Sequence, residues 1–190
     1  MPPPITVLDT CVLVPYLVRD TLLSAAEERL YWPAWSPVIL EELDRTLRDE
    51  PFHLSDERIR YLLEAMRRAF PWAVVRDFEQ LESRLTNHPN DRHVLAAAIM
   101  VSATSIVTDS VRHFLTTALG NHGIEVQTPD AFLAIFARQD LEGVLHFLTR
   151  QAAAMKQPPT DVPGLLAQLE RQVPAFVSEV RRRMRRPPTA

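Results

Sequence analysis

Two short apolar segments that each end on an aspartate constrain the fold of this chain more than any other feature. Residues 5–8 are followed by Asp9, and residues 105–108 are followed by Asp109. If both segments are buried strands of one parallel sheet, their aspartates emerge at the carboxyl edge, where open α/β sheets bind ligands. Clustered carboxylates at that edge predict a site for a divalent metal ion.

Two further acids stand where helices are predicted. Glu42 borders the apolar stripe of one helix, and Asp91 begins an alanine-rich helix. With Asp9 and Asp109 they predict a four-carboxylate pocket, which is a known arrangement for metal-assisted hydrolysis of phosphodiesters. Helical angle alone does not single out Glu42, because Glu41 and Asp44 also lie near the stripe.

Helical and extended patterns alternate along the first two thirds of the chain. Ser36 followed by Pro37 is typical of a helix start, as is Ser55 followed by two acids. Short strands are predicted at residues 72–75 and 124–126, and helices at residues 91–98 and 111–119. This βαβ alternation predicts an α/β fold with a central parallel sheet.

From about residue 138 onward the sequence has helical patterns alone, separated by breaks that contain proline. We therefore expect an α/β domain at residues 1–137 and a helical C-terminal extension at residues 138–190. The extension ends in an arginine cluster, residues 181–186, although the net charge of the chain is only −3. Such a cluster is suited to phosphate contacts or is a solvated helix end.

Composition narrows the class of protein. Cys11 is the single cysteine, which excludes an intrachain disulfide framework and a zinc site built from several thiolates. No segment has the pattern of a signal peptide, and no apolar run approaches the ~18 residues that span a bilayer. These features predict a cytoplasmic protein that does not cross a membrane. With four glycines and no Gly-rich phosphate loop, nucleotide binding by such a loop is not expected.

Four separate segments carry a resemblance to a known family. They are VLDT at residues 7–10, Trp35 with the helix of residues 36–47, NDRHVLAAA at residues 90–98 and IVT at residues 106–108. Together they closely resemble the PIN-domain ribonucleases of the VapC toxin type, over roughly residues 5–135. The segment DRHVLAAA is the most specific of them. The helical tail resembles the C-terminal extension of one subgroup of these toxins.

The resemblance implies a three-layer α/β/α fold and a metal-dependent endoribonuclease that is the toxin of a type II toxin–antitoxin pair. In the family, the acids that match Asp9, Glu42 and Asp91 bind Mg²⁺ or Mn²⁺ and position water to cut RNA. It also implies a cognate antitoxin that blocks the acidic pocket, for which an arginine side chain is electrostatically suited. Family members often form homodimers.

The fourth acid departs from the family pattern. The family commonly has Asn or Asp two residues after the threonine and another Asp just before the phenylalanine, where this chain has Ser110 and His113. Asp109 lies one position early, so it reaches the metal only if the strand has already turned into a loop. Ser110 offers a hydroxyl that could hold a metal-bound water. Asp130 is a reserve ligand, unless it is an ordinary first-turn carboxylate.

Two alternative functions are weighed on residues that depart from, or are absent from, a family's usual pattern. The substitutions at Ser110 and His113 favour a PIN-fold RNA-binding or interaction module that no longer cuts. A magnesium-dependent phosphatase is the weaker rival, because Cys11 stands where its second acid belongs. His93 and His113 are expected to be hydrogen-bonded structural histidines or phosphate contacts, and Cys11 a small buried side chain.

Overall fold

The computed structural model describes residues 2–49, 51–114, 119–120, 122–156 and 159–185. Within these residues, four strands form one parallel sheet in the order β2-β1-β3-β4. They are β1 (Ile5–Leu8), β2 (Trp32–Ala34), β3 (Ser105–Val107) and β4 (Glu125–Gln127). The predicted α/β fold with a central parallel sheet is confirmed.

The two central strands are the two apolar segments that the sequence marks. Val7 pairs with Ile106 and Leu8 with Val107, and none of these side chains is exposed. Strands buried on both faces are typically continuous apolar runs, as here. Because the strands are parallel and paired at this register, their carboxyl ends meet at the same level of the sheet.

The sheet differs from the sequence prediction at two places. The sequence predicts a loop at Trp32, Pro33 and Trp35, but residues 32–34 form the edge strand β2, where a proline without an N–H is tolerated. The strand predicted at residues 72–75 is wrong, because only an isolated bridge joins Trp35 to Val74. Backbone hydrogen bonds of 2.9 Å from Trp35 N to Ala73 O and from Val75 N to Trp35 O hold this segment.

Helices occupy most of the remaining described residues. They are α1 (Thr10–Leu13), α2 (Tyr16–Glu27), α3 (Pro37–Arg48), α4 (Asp56–Ala69), α5 (Glu79–Glu82), α6 (Arg92–Met100), α7 (Pro129–Gln139), α8 (Leu141–Ala154), α9 (Val162–Leu169) and α10 (Pro174–Met184). No helix among the described residues is long and apolar enough to cross a bilayer.

The helix starts follow their sequence signals. Ser36 caps α3 by accepting a hydrogen bond from Ile39 N, and Ser55 caps α4 in the same way. Short 3₁₀ turns precede α6 at Pro89–Asp91 and follow β3 at Val111–His113. The predicted helix at residues 111–119 is therefore a 3₁₀ turn at its start, and residues 115–118 of that prediction lie outside the described residues.

The chain divides into two compact units. The first contains residues 1–15 and 31–127, with the sheet, and the second contains residues 16–30 and 128–190. The functional division at residue 137 stays a prediction. In the second unit, α2 packs against α8, where Arg150 Nη2 lies 2.9 Å from Glu27 Oε2.

Three residues of the arginine cluster, Arg181, Arg182 and Arg183, lie on α10 in the second unit. Arg181 pairs with Glu170 at 2.6 Å, and Arg182 pairs with Glu179 at 2.5 Å. The carboxylate partners of these guanidinium groups fit a solvated helix end, and contact of the cluster with phosphate stays a prediction. Arg186 of the same cluster lies outside the described residues.

Asp20 on α2 allows a test of the second unit by pH. Burial raises the pKa of the Asp20 carboxyl, and the charge of Glu27 adds to this, although Gln151 and Arg19 oppose it. A raised pKa in the folded state means that ionisation costs stability, so stability is lost as pH rises through that pKa. We predict that Asp20→Asn raises the melting temperature by roughly 1 to 3 °C at neutral pH.

Circular dichroism melts across the acidic range check this prediction. The difference between the variant and the wild type should shrink as the pH falls, because the wild-type carboxyl becomes protonated. A variant that melts lower than the wild type at neutral pH would mean that the ionised group is held by Arg19 more strongly than burial penalises it.

Candidate metal centre

Asp9 is fixed at the carboxyl end of β1 by three donors. It is the N-cap of α1, where its Oδ1 accepts a hydrogen bond of 2.7 Å from Thr10 N. Its Oδ2 accepts from Thr108 Oγ1 at 2.6 Å and from Cys11 Sγ at 3.2 Å. The side chain is only 6% exposed, so the carboxylate is held in one place at the edge of the sheet.

Thr10 joins Asp9 to the second predicted acid. Its backbone N–H binds Asp9, and its hydroxyl donates a hydrogen bond of 2.8 Å to Glu42 Oε2. Glu42 lies on α3, whose buried side packs against α1. Of the three acids that helical angle left open, Glu41 is exposed and Asp44 pairs with Arg48 at 3.0 Å, so Glu42 is the one linked to the sheet edge.

His93 on α6 faces the same glutamate. Its Nε2 lies 3.5 Å from Glu42 Oε1, and the imidazole is buried. Burial alone would lower the pKa of His93, but hydrogen bonding to Glu42 and the charges of Glu42 and Asp9 raise it above its ordinary value. Burial would likewise raise the pKa of Glu42, but His93 and Thr10 hold it below its ordinary value. Glu42 is therefore favoured as a carboxylate.

Asp109 stands in the loop directly after β3. Because the strand ends at Val107, the condition for Asp109 to reach the sheet edge is met. Its backbone N–H donates to Cys11 Sγ at 3.3 Å. Burial, and after it the charge of Asp9, raises the pKa of Asp109. The two aspartates therefore lie near enough to repel each other, which a cation between them would relieve.

Asp91 has histidine partners that the sequence did not predict. It ends the 3₁₀ turn before α6, and its Oδ2 lies 2.9 Å from His113 Nδ1 and 3.3 Å from His88 Nδ1. Among the described residues, this is the one group of three histidines, cysteines or acids whose ligand atoms all lie within 4.8 Å of one another. The four predicted carboxylates do not converge to that distance.

The two supporting residues differ in their surroundings. Ser110 follows Asp109, and its backbone N–H donates to Thr108 Oγ1 at 3.0 Å. Asp130 belongs to the second unit, where its carboxylate accepts hydrogen bonds from Ala175 N at 3.1 Å and Phe176 N at 2.8 Å. Asp130 thus binds the first turn of α10. The support of a metal by either residue stays a prediction.

Two segments of the chain match models of known protein families. Residues 6–112, more than half of the 190 residues, match the family model described as the PIN domain. The chain belongs to the PIN-domain family. Residues 129–182 match the model described as the VapC50 C-terminal domain, so this is a VapC-type PIN protein with a C-terminal extension.

One relative of this PIN protein is named "Putative ribonuclease VapC50" and comes from Mycobacterium tuberculosis (strain ATCC 25618 / H37Rv). The two sequences are 35% identical over 105 residues, which are 55% of this chain. The match spans 62% of the length of that relative. No solved structure gives a significant match.

The donor set at the sheet edge of the PIN domain fits a hard divalent cation. Magnesium prefers oxygen ligands and is typically held by one or two carboxylates with waters and substrate phosphate. Asp9, Glu42 and Asp109 offer carboxylate oxygens from three segments that Thr10 and Thr108 connect. Asp91 adds a carboxylate that lies among imidazole nitrogens.

Sequence reasoning missed the residues that hold these acids. Thr10 and Thr108 were seen only as parts of strand-end motifs, and Cys11 as a small apolar side chain. Instead the Cys11 thiol contacts both Asp9 and the Asp109 backbone. Burial and the charge of Asp9 raise the pKa of Cys11 to about 12, so the thiol stays protonated. The threonines could have been marked because each is adjacent to a strand-end aspartate.

The Thr10 hydroxyl provides a test of the site. Thr10→Val keeps the backbone N–H that binds Asp9 but removes the hydrogen bond to Glu42, so Glu42 loses its fixed position. We predict that the affinity for Mn²⁺ falls by about tenfold, as when a supporting partner of a metal ligand is removed. The measurement is the rise in melting temperature with added Mn²⁺, which reports binding to the folded state.

Thr149→Val is the matched control, because Thr149 is exposed and its hydroxyl donates a hydrogen bond of 2.7 Å to Leu145 O of the same helix. It should respond to Mn²⁺ as the wild type does. An unchanged Mn²⁺ response in Thr10→Val would mean that Glu42 needs no link to Asp9.

Proposed function

We propose that this PIN-domain protein is an endoribonuclease that requires Mg²⁺ or Mn²⁺ to hydrolyse RNA phosphodiester bonds. The proposal is supported by membership of the PIN family and by the name of the relative from Mycobacterium tuberculosis. The observation that carries it is the Thr10 link between Asp9 and Glu42 at the end of β1. That link brings two acids, distant in sequence, to one edge of a parallel sheet, where Asp109 also stands.

Asp9, Glu42 and Asp109 would hold the cation, and Asp91 would complete the acidic set. When bound, a divalent cation lowers the pKa of a coordinated water and stabilises the charge that develops on the phosphate. The residues of the chain orient these ligands: Thr10 and His93 fix Glu42, and Thr108 fixes Asp9.

The site offers no activated protein nucleophile, which favours direct attack by water. Cys11 is the nearest thiol, but its raised pKa of about 12 keeps it protonated, and only the thiolate is strongly nucleophilic. Hydrolysis without a covalent intermediate is therefore the reaction that we assign to these residues.

The same proposal includes the biological setting. This protein would be the toxin of a type II toxin–antitoxin pair, act on RNA in the cytoplasm and form a homodimer. The cognate antitoxin would block the acidic pocket. An antitoxin arginine suits this task because its planar guanidinium binds carboxylates in a bidentate way.

A second candidate function is a PIN-fold module that binds RNA without cutting it. It is favoured by one observation, namely that the four predicted carboxylates do not form a group within 4.8 Å among the described residues. The two functions differ in one result, since the module would retain RNA in a binding assay but leave it intact with Mg²⁺ or Mn²⁺.

Neighbouring glutamates on α3 give a matched test of the nuclease. Glu42→Gln removes a proposed ligand charge, whereas Glu41→Gln alters an exposed residue one position away. We predict that Glu42→Gln loses on the order of 10²- to 10³-fold in cleavage rate, the size found when one group that stabilises transition-state charge is removed. Glu41→Gln should cut at the wild-type rate.

The measurement is the cleavage rate of total RNA by pure protein, with Mg²⁺, with Mn²⁺ and with a chelator. Cleavage that persists in the chelator, or that is equal in the two variants, would contradict the proposed site. RNA that stays intact with the wild-type protein under all conditions would favour the binding module.

A further inference from the structure

His88, Asp91 and His113 form a compact group whose ligand atoms all lie within 4.8 Å of one another. Both histidine Nδ1 atoms approach the same oxygen, Asp91 Oδ2, at 3.3 and 2.9 Å. The rings are stacked, with centroids 4.5 Å apart and planes inclined by 20°. We propose that this group is a second metal site, which takes a transition-metal cation of the zinc class.

The donor types select that class of cation. Two imidazole nitrogens and one carboxylate suit zinc, cobalt or nickel, whereas magnesium demands oxygen ligands. In a tetrahedral zinc site with bonds of about 2.0 to 2.2 Å, ligand atoms are roughly 3.3 Å apart. The two separations from Asp91 Oδ2, 2.9 and 3.3 Å, differ from this value by only a few tenths of an ångström, and the ligand atoms of all three residues lie within 4.8 Å of one another. Two neutral imidazoles and one carboxylate together carry a single negative charge, so they attract a divalent cation.

The backbone already holds the three ligands together. His88 N donates to His113 O at 3.2 Å, and Asp91 N donates to His88 O at 2.9 Å. His113 is fixed in turn by a hydrogen bond of 2.8 Å from its N to Ser110 O. Since the ligands are positioned before the cation arrives, little conformational entropy is lost on binding.

A cation can reach this group from solvent. The side chain of His88 is 46% exposed and that of His113 is 28% exposed, while Asp91 is more buried at 15%. Because both imidazoles are partly exposed, water can reach the site and serve as a further ligand, as in zinc sites that keep an open position.

The second site would regulate the first, and this part rests on the proposed function. Asp91 belongs to both ligand sets, and a zinc-class cation that engages its Oδ2 withdraws that carboxylate from the nuclease metal. Binding of Zn²⁺ at the second site should therefore inhibit Mg²⁺-dependent RNA cleavage.

Metal binding by the untagged full-length protein tests the site without reference to activity. Titration calorimetry should show a Zn²⁺ site that depends on His88 and His113, and Co²⁺ in its place should show visible absorption bands that report the nitrogen and oxygen ligands. We expect His88→Ala and His113→Ala each to weaken Zn²⁺ binding by at least ~10-fold, since loss of even a supporting partner costs that much. Mg²⁺ should not compete at equal concentration.

His146→Ala is the matched control, because His146 is another exposed histidine beside a carboxylate, Glu28, at 3.1 Å. It should bind Zn²⁺ as the wild type does. Circular dichroism of each variant shows whether it is folded, and the exposed His88 is the safer substitution. Zn²⁺ binding that is absent in the wild type, or unchanged in both folded site variants, would mean a hydrogen-bonded histidine pair only and would overturn the proposal.

The regulatory part is measured separately, as the ratio of cleavage rates with and without one equivalent of Zn²⁺ in excess Mg²⁺. We expect the rate with Zn²⁺ divided by the rate without it to be well below one in the wild type and in His146→Ala. In His88→Ala it should be close to one. Equal inhibition in wild type and His88→Ala would overturn the regulatory role. If the wild-type protein does not cut RNA with Mg²⁺ alone, the proposed function is refuted instead. The Zn²⁺-binding result would still stand.

Discussion

The parallel pairing of β1 with β3 is the interaction on which the site depends. Val7 and Leu8 face Ile106 and Val107 across the ladder, and a buried hydrogen bond of 2.9 Å joins Thr6 Oγ1 to Ser105 Oγ. A shift of one residue in this register would reverse the faces of every side chain in the strand. The observed register lets Thr108 bind Asp9 across 99 residues of sequence.

Polar contacts between side chains join this edge of the sheet to the helix that carries Glu42 and then to α6. Thr10 carries the connection to α3, and His93 carries it from α3 to α6. Because α6 packs against β1 and β3 with buried alanines, its first turn, and with it Asp91, is brought towards the same edge. A buried polar group without a hydrogen-bond partner destabilises the folded state. The site therefore needs the threonine hydroxyls that donate hydrogen bonds to its acids.

The sequence predicted well where a residue's environment is local. The strand before Asp9, the capped starts of α3 and α4 and the alanine-rich α6 all follow from apolar patterns and capping residues within a few positions. Glu42 required the family resemblance, because three acids share the border of the same helical stripe. Its link to Thr10 depends on how α3 packs, which no local pattern contains.

The sequence predictions that failed concern residues whose environment is set by contacts distant in sequence. The loop predicted around Pro33 is wrong because β2 lies at an edge of the sheet, where proline is tolerated, and no local pattern reveals that position. The sequence predicts no partner for His113, but folding brings its Nδ1 to within 2.9 Å of Asp91 Oδ2, 22 residues away. Asp130 looked like a reserve ligand, and its two hydrogen bonds to the start of α10 come from residues 45 and 46 positions later.

We propose that the carboxylates of Asp9 after β1, Glu42 on α3 and Asp109 in the loop after β3 bind a divalent cation. Anomalous X-ray scattering from crystals grown with Mn²⁺ tests it most directly, because the signal marks the ion itself. The account predicts a manganese peak within bonding distance of both Asp9 and Glu42. Manganese bound only where neither Asp9 nor Glu42 contributes a ligand would contradict it.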